Sequence, residues 1–174
     1  MTVYRPPQRA VGAWVLSIAR WIRCTFHLPT LQSFDDHLAH GRAFLPLTNV
    51  ALAPGAPLPF LALRASAAHV VVPDPPEENL QLSPHPGTAP RQVSVYLEHV
   101  AVHGKLHLRP GLRTSDFFLY QEGYVALRGC RIAPAVAGLA EPVPIAFVNA
   151  GAIVAVAEEE GRVAVEDLPA STSG

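Results

Sequence analysis

The 174-residue sequence predicts a mainly β protein, made of two tandem small barrels joined by a proline-rich linker. Three observations carry that expectation. Short runs of alternating apolar and polar residues recur along the chain, six prolines crowd the stretch from Pro73 to Gln92, and the sequences on either side of that stretch resemble each other. Apolar residues make up 49% of the chain and charged residues 16%, which excludes disorder over the whole length. The formal charge is −1, which argues against a dedicated nucleic-acid binder, whose domain is clearly basic. Cys24 and Cys130 are too few for a disulfide scaffold or a zinc ribbon. These features predict a soluble, cytoplasmic chain.

The first element is the apolar run Ala10 to Ala19, between Arg9 and Arg20. It is shorter than the ~20 apolar residues of a membrane span, and the Arg20-Trp21-Ile22-Arg23 after it makes a poor signal-peptide cleavage region. It reads as a buried strand, with a signal peptide as the lesser alternative. Trp14, Leu16, Ile18, Ile22, Cys24, Phe26 and Leu28 share one parity and predict one strand face. The best helical stretch is Ser33 to His40, with Ser33 as N-cap. Each proline of the linker removes a donor and fixes φ, so that segment can be neither helix interior nor central strand. Beyond it, Val93, Val95 and Leu97 alternate, the phase flips at Glu98-His99, and Val100, Val102, Gly104, Leu106 and Leu108 resume it. A flip at two polar residues predicts a hairpin or bulge. Tyr124 to Ile132 and Ile145 to Val156 supply further apolar runs, broken by Gly129 and by Asn149-Ala150-Gly151. The resulting division is a first repeat at 1–73, a linker at 74–92, a second repeat at 93–168 and a frayed tail at 169–174.

The two repeats align in order. Pro29, Leu31, Asp35 and Leu38 meet Pro110, Leu112, Asp116 and Leu119 at one offset. After a one-residue slip, Phe44, Leu47, Leu52 and Pro54 meet Tyr124, Leu127, Ile132 and Pro134, and Pro59 later meets Pro144. That order predicts a tandem duplication.

The second copy resembles the Sm-like small β-barrel family. The alternating Val93, Val95, Leu97, the Glu98-His99 turn, and Gly104 two residues before Leu106 match its opening. Ile145 to Val148, Asn149-Ala150-Gly151 and Ile153 to Val156 match its closing strand, turn and strand. Pro110, Gly111, Arg113, Ser115 and Asp116 look like a segment of uncharacterised bacterial Sm-like proteins, and Pro29, Asp35 and Phe44 to Thr48 of the first copy fit the same pattern. The resemblance implies barrel repeats, and a nucleobase site at the asparagine of the closing turn, here Asn149. The asparagine expected shortly after Asp116 is missing, and the closing turn of the first copy, Arg64-Ala65-Ser66, lacks the glycine.

Arg109 and Arg113 form an R-x-x-x-R, which resembles the arginine signature of PilZ-like barrels that bind a cyclic dinucleotide. Paired guanidinium forks suit phosphates, but the Asp/Asn-x-Ser-x-x-Gly partner motif is absent after Asp116. The structural reading of this loop is an Arg113–Asp116 ion pair. Candidate ligand-binding residues are therefore Arg109, Arg113, Asp116 and Asn149. No metal site is expected. His99, His103 and His107 are four apart, about 13 Å between neighbours on a strand, which is too far for one ion. His37 and His40, beside Asp35 and Asp36, are the lesser alternative. Cys24 and Cys130 read as buried structural thiols. No Walker, Rossmann, G-x-S-x-G or H-E-x-x-H motif occurs, so neither a cofactor nor an enzymatic activity is expected. The function expected is a non-enzymatic binding or assembly module working through protein–protein contacts or self-association. The alternative is an RNA or nucleotide binder that uses the arginine loop.

Overall fold

The computed structural model describes residues 7–18, 20–52, 56–74 and 85–159. In chain order these form β1 (Gln8–Ser17), β2 (Arg20–Pro29), α1 (Phe34–Ala39), β3 (Phe44–Ala51), β4 (Leu58–Arg64) and β5 (Ala68–Pro73). The second half continues with β6 (Ala89–Tyr96), β7 (Ala101–Leu108), α2 (Thr114–Leu119), β8 (Tyr124–Ala133), β9 (Val143–Asn149) and β10 (Ala155–Glu158). A single 3-10 turn joins β4 to β5 at Ala65–Ala67, and another joins β9 to β10 at Ala150–Ala152.

All ten strands belong to one antiparallel sheet, in the order β10-β6-β7-β8-β9-β5-β1-β2-β3-β4. Within each half the last strand lies beside the first, and the next three follow in sequence. The halves meet where β5 pairs with β9, Val70 opposite Val148 and Val71 opposite Phe147. This corrects the expectation of two closed barrels: the sheet is not closed. A strand has only two edges, and those of β5 are taken by β1 and β9, so β5 has none left for β4 of its own half.

Both faces of the shared strands are consequently buried. Val71 of β5 and Ile145 and Phe147 of β9 enter one core with Val11, Val15, Phe26, Phe34 and Leu47. Their neighbours Val70, Val72, Ala146 and Val148 enter a second core with Val93, Val102, Leu127 and Ile132. Alternate side chains of a strand point to opposite faces, so one pair of strands serves both cores. The same logic alters the reading of β1. Its face in the first core is Val11, Ala13 and Val15, whereas Leu16 and the half-buried Trp14 pack with the second core. Ile18 sits exposed in the β1–β2 turn at φ 58°. In β2 the predicted face, Ile22, Cys24, Phe26 and Leu28, is buried.

The hairpin predicted at Glu98-His99 joins β6 to β7. β6 begins at Ala89, so Ala89 to Gln92 of the predicted linker are strand residues, and 75–84 and the predicted tail at 169–174 lie outside the described residues. Gly104 lies where the β7–β8 register shifts. A Cβ there would stand 2.9 Å from Cys130 Sγ and 3.1 Å from the Arg128 carbonyl, so the close approach of the two strands requires glycine. Helix α1 forms as the sequence predicts. The Ser33 hydroxyl accepts from the Asp36 N–H at 3.3 Å, and Phe34, His37 and Leu38 turn inward.

Candidate functional site

The loop between β7 and β8 carries the predicted arginines. Arg109 opens a tight turn whose carbonyl accepts from the Leu112 N–H at 3.1 Å, and its side chain is exposed. Arg113 occupies the N-cap position of α2, where an arginine has no acceptor to offer the helix N–H groups. Asp116 follows in the first helical turn. The local Arg113–Asp116 ion pair expected from the sequence does not form: among the described residues neither side chain is ion-paired. Beside this loop opens a cleft of about 480 Å3. Arg113, Ser115 and Arg91 provide its polar wall and Leu112, Phe118 and Val156 its apolar one. Glu158 stands on the rim, 3.8 Å from the Arg91 guanidinium, and offsets part of the positive charge.

Asn149 lies elsewhere. It ends β9, and its Oδ1 accepts from the Gly151 N–H at 3.0 Å, which caps the 3-10 turn. Its Nδ2 donates toward the carbonyls of Ala65 and Ala68 at 3.4 Å each. Tyr124, directly opposite Asn149 in the β8–β9 ladder, donates its hydroxyl toward the same two carbonyls at 3.1 Å. Burial pushes the Tyr124 phenol up to about 12, an effect that its hydrogen bond with Asn149 partly opposes. The phenol is therefore a permanent donor at neutral pH. Tyr124 and Asn149 together bolt the second half to the turn that leads into β5 of the first.

Asn149 also lines a second cleft, of about 560 Å3, where the halves meet, with Asp35, Asp36, Arg42, Ser66 and Glu122 around it. The four predicted ligand residues are thus not gathered into one site. Arg113 lines one cleft, Asn149 lines the other, and Arg109 and Asp116 line neither. Sequence reasoning missed Arg91, hidden in the predicted linker, and Tyr124, which the alignment treated as an apolar position. The match of Tyr124 to Phe44 was the available signal, because only one of the two has a hydroxyl.

Among the described residues no group of three or more His, Cys, Asp or Glu is placed to hold a metal ion. His103 Nδ1 lies 2.7 Å from the Ser94 hydroxyl, and His99 lies 3.7 Å from Glu98. Burial first, then Arg128 and Lys105, lower the pKa of His107. His37 belongs to the core, stacked edge-on against Phe26. Both cysteines are buried, and desolvation pushes each thiol up to about 12, away from the reactive thiolate. No helix of the described residues is long and apolar enough to cross a membrane. No family model, curated protein or solved structure matches the chain.

Proposed function

We propose that the chain is a non-enzymatic assembly module, two Sm-like repeats in one polypeptide, acting through protein–protein contacts at the two ends of its sheet. One observation carries the proposal. The fourth strand of the second half, β9, is buried against the fifth strand of the first, β5. Their counterparts, β4 and β10, stand at the two ends of the sheet among the described residues. The sequence PFLAL of β4 resembles PIAFV of β9, yet Leu58 and Phe60 are exposed and Phe60 reaches 58%. Val70 to Val72 of β5 are buried, whereas Ala155 and Ala157 of β10 are exposed and Val154 beside them reaches 72%. Unpaired apolar edges are templates for strand addition. The identical strand order of the two halves, together with their aligned sequences, supports the duplication.

Sedimentation velocity over a wide concentration range tests this. The wild type is expected to gain mass with concentration, and Phe60→Lys, which places a charge at an exposed edge position, is expected to weaken association roughly tenfold or more. A wild type that stays monomeric throughout overturns the proposal.

The second reading, an RNA or nucleotide binder, is favoured by the cleft that joins Arg113 and Arg91 to an apolar wall. It predicts salt-dependent binding of a short RNA that Arg113→Ala abolishes. Because Arg113 has no ion pair to lose among the described residues, the same substitution is expected to leave unfolding within about 0.5 kcal/mol of wild type.

A further inference from the structure

The junction inside the chain is held at one corner, and the outer end of the sheet carries the same corner with different side chains. Tyr124 and Asn149 face each other across β8 and β9. Phe44 and Arg64 face each other across β3 and β4 at the corresponding place, immediately before the other 3-10 turn. The Tyr124–Asn149 pair donates to the carbonyls of Ala65 and Ala68, the first residue of that turn and the residue that follows it. In the second half the same places are Ala150 and Ile153. The acceptors are equally prepared: the Ala65 carbonyl takes the Ala68 N–H and still accepts from the tyrosine and asparagine, and the Ala150 carbonyl takes the Ile153 N–H in the same way. The first-half corner is exposed. Phe44 is 49% accessible, and the Arg64 guanidinium lies 5.5 Å over its ring. Among the described residues Arg64 has no hydrogen bond or ion pair to hold it there.

We infer that Arg64 is the inter-chain counterpart of Tyr124 and Asn149: its guanidinium donates to the carbonyls of Ala150 and Ile153 of a second copy, locking β10 of that copy onto β4. The inference rests on the assembly reading and names its partner. The internal junction supplies the register. Val148 opposite Val70 and Phe147 opposite Val71 translate to Leu63 opposite Ala155, and Ala62 opposite Val156, of the second copy. Phe44 lacks the hydroxyl of Tyr124, and arginine makes good the deficit, because its planar fork presents several N–H groups where tyrosine and asparagine present one donor group each. The phenylalanine ring keeps the stem oriented through the cation–π contact.

Three proteins decide it by sedimentation equilibrium: wild type, Arg64→Ala, and the double variant Phe44→Tyr with Arg64→Asn, which rebuilds the internal corner at the outer edge. The single variant is expected to raise the dissociation constant about tenfold or more, since charge-assisted hydrogen bonds are lost. The double variant is expected to restore association to within about threefold of wild type, because the donors return without the charge. Circular dichroism confirms that all three fold. Association in the wild type that Arg64→Ala leaves unchanged overturns this inference and spares the assembly reading. Failure of the double variant to restore what the single one loses also overturns it, since arginine is then acting by charge rather than as a donor. A monomeric wild type overturns both.

Discussion

His37 shows how one buried side chain sets a property of the whole protein. It is 1% exposed, its Nδ1 lies 3.3 Å from the Gln32 Oε1, and its Nε2 is buried with no partner among the described residues. The neutral tautomer with hydrogen on Nδ1 fits that surrounding, since Nε2 then holds only a lone pair. A second proton would place an N–H where there is no acceptor. Desolvation, with Arg42 and His40 adding positive charge, brings its pKa from 6.5 to about 4. Between those values the unfolded chain binds a proton that the folded chain refuses, so stability rises with pH across that window and falls on acidification. Urea unfolding from pH 7 to pH 4 is expected to lose about 3 kcal/mol from this group. His37→Leu is expected to flatten the slope. A wild-type profile flat across that interval contradicts this account. The sequence placed His37 in a helix beside His40 and two aspartates, and a metal pair was the alternative. Burial of the imidazole against Phe26 is a tertiary fact that no local spacing contains.

Among the elements, legibility followed the number of buried faces. β2 and β7 each bury alternate residues, and period two is visible in their sequences as it is in the structure. β1, β5 and β9 contribute to both cores, so their apolar residues run consecutively and the parity carries no information. That is why Trp14, Leu16 and Ile18 were read as the buried face when Val11, Ala13 and Val15 form it in the first core. The helix was legible because its signal is local: a serine cap and apolar residues at positions four apart, Phe34 and Leu38. The candidate site was the least legible feature. Arg113 was found, but its cleft is completed by Arg91 on β6 and Val156 on β10, residues brought beside the loop by the sheet. Asn149 was singled out as a ligand residue, and its hydrogen bonds to Ala65 and Ala68 between the halves were not foreseen.

At the scale of the molecule, the linear order of strands makes the two ends of the sheet different from each other, one end being β4 and the other β10. A head-to-tail contact between unlike ends gives stoichiometries that a self-complementary patch cannot. Phe60→Lys blocks one end and leaves β10 intact; Val154→Lys blocks the other and leaves β4 intact. At concentrations where the wild type associates, each variant alone is expected to stay mostly monomeric, and an equal mixture is expected to form a one-to-one pair and nothing larger, read by mass photometry or light scattering. Larger species in the mixture, or pairing in either variant alone as strong as in the mixture, contradict head-to-tail growth. What the chain alone did not give is which strands would meet across the linker, β5 and β9.

The junction of β5 with β9 has two directly opposed residue pairs, a corner of side-chain hydrogen bonds and apolar side chains shared between the halves in both cores. Its partners also share one polypeptide, and tethering of that kind supplies an effective concentration of order millimolar. Dilution cannot open it. A contact of the same design between separate molecules has no tether and answers to mass action alone. On the assembly proposed above, every second seam of an extended sheet is then permanent and the alternate seams answer to the concentration of the protein.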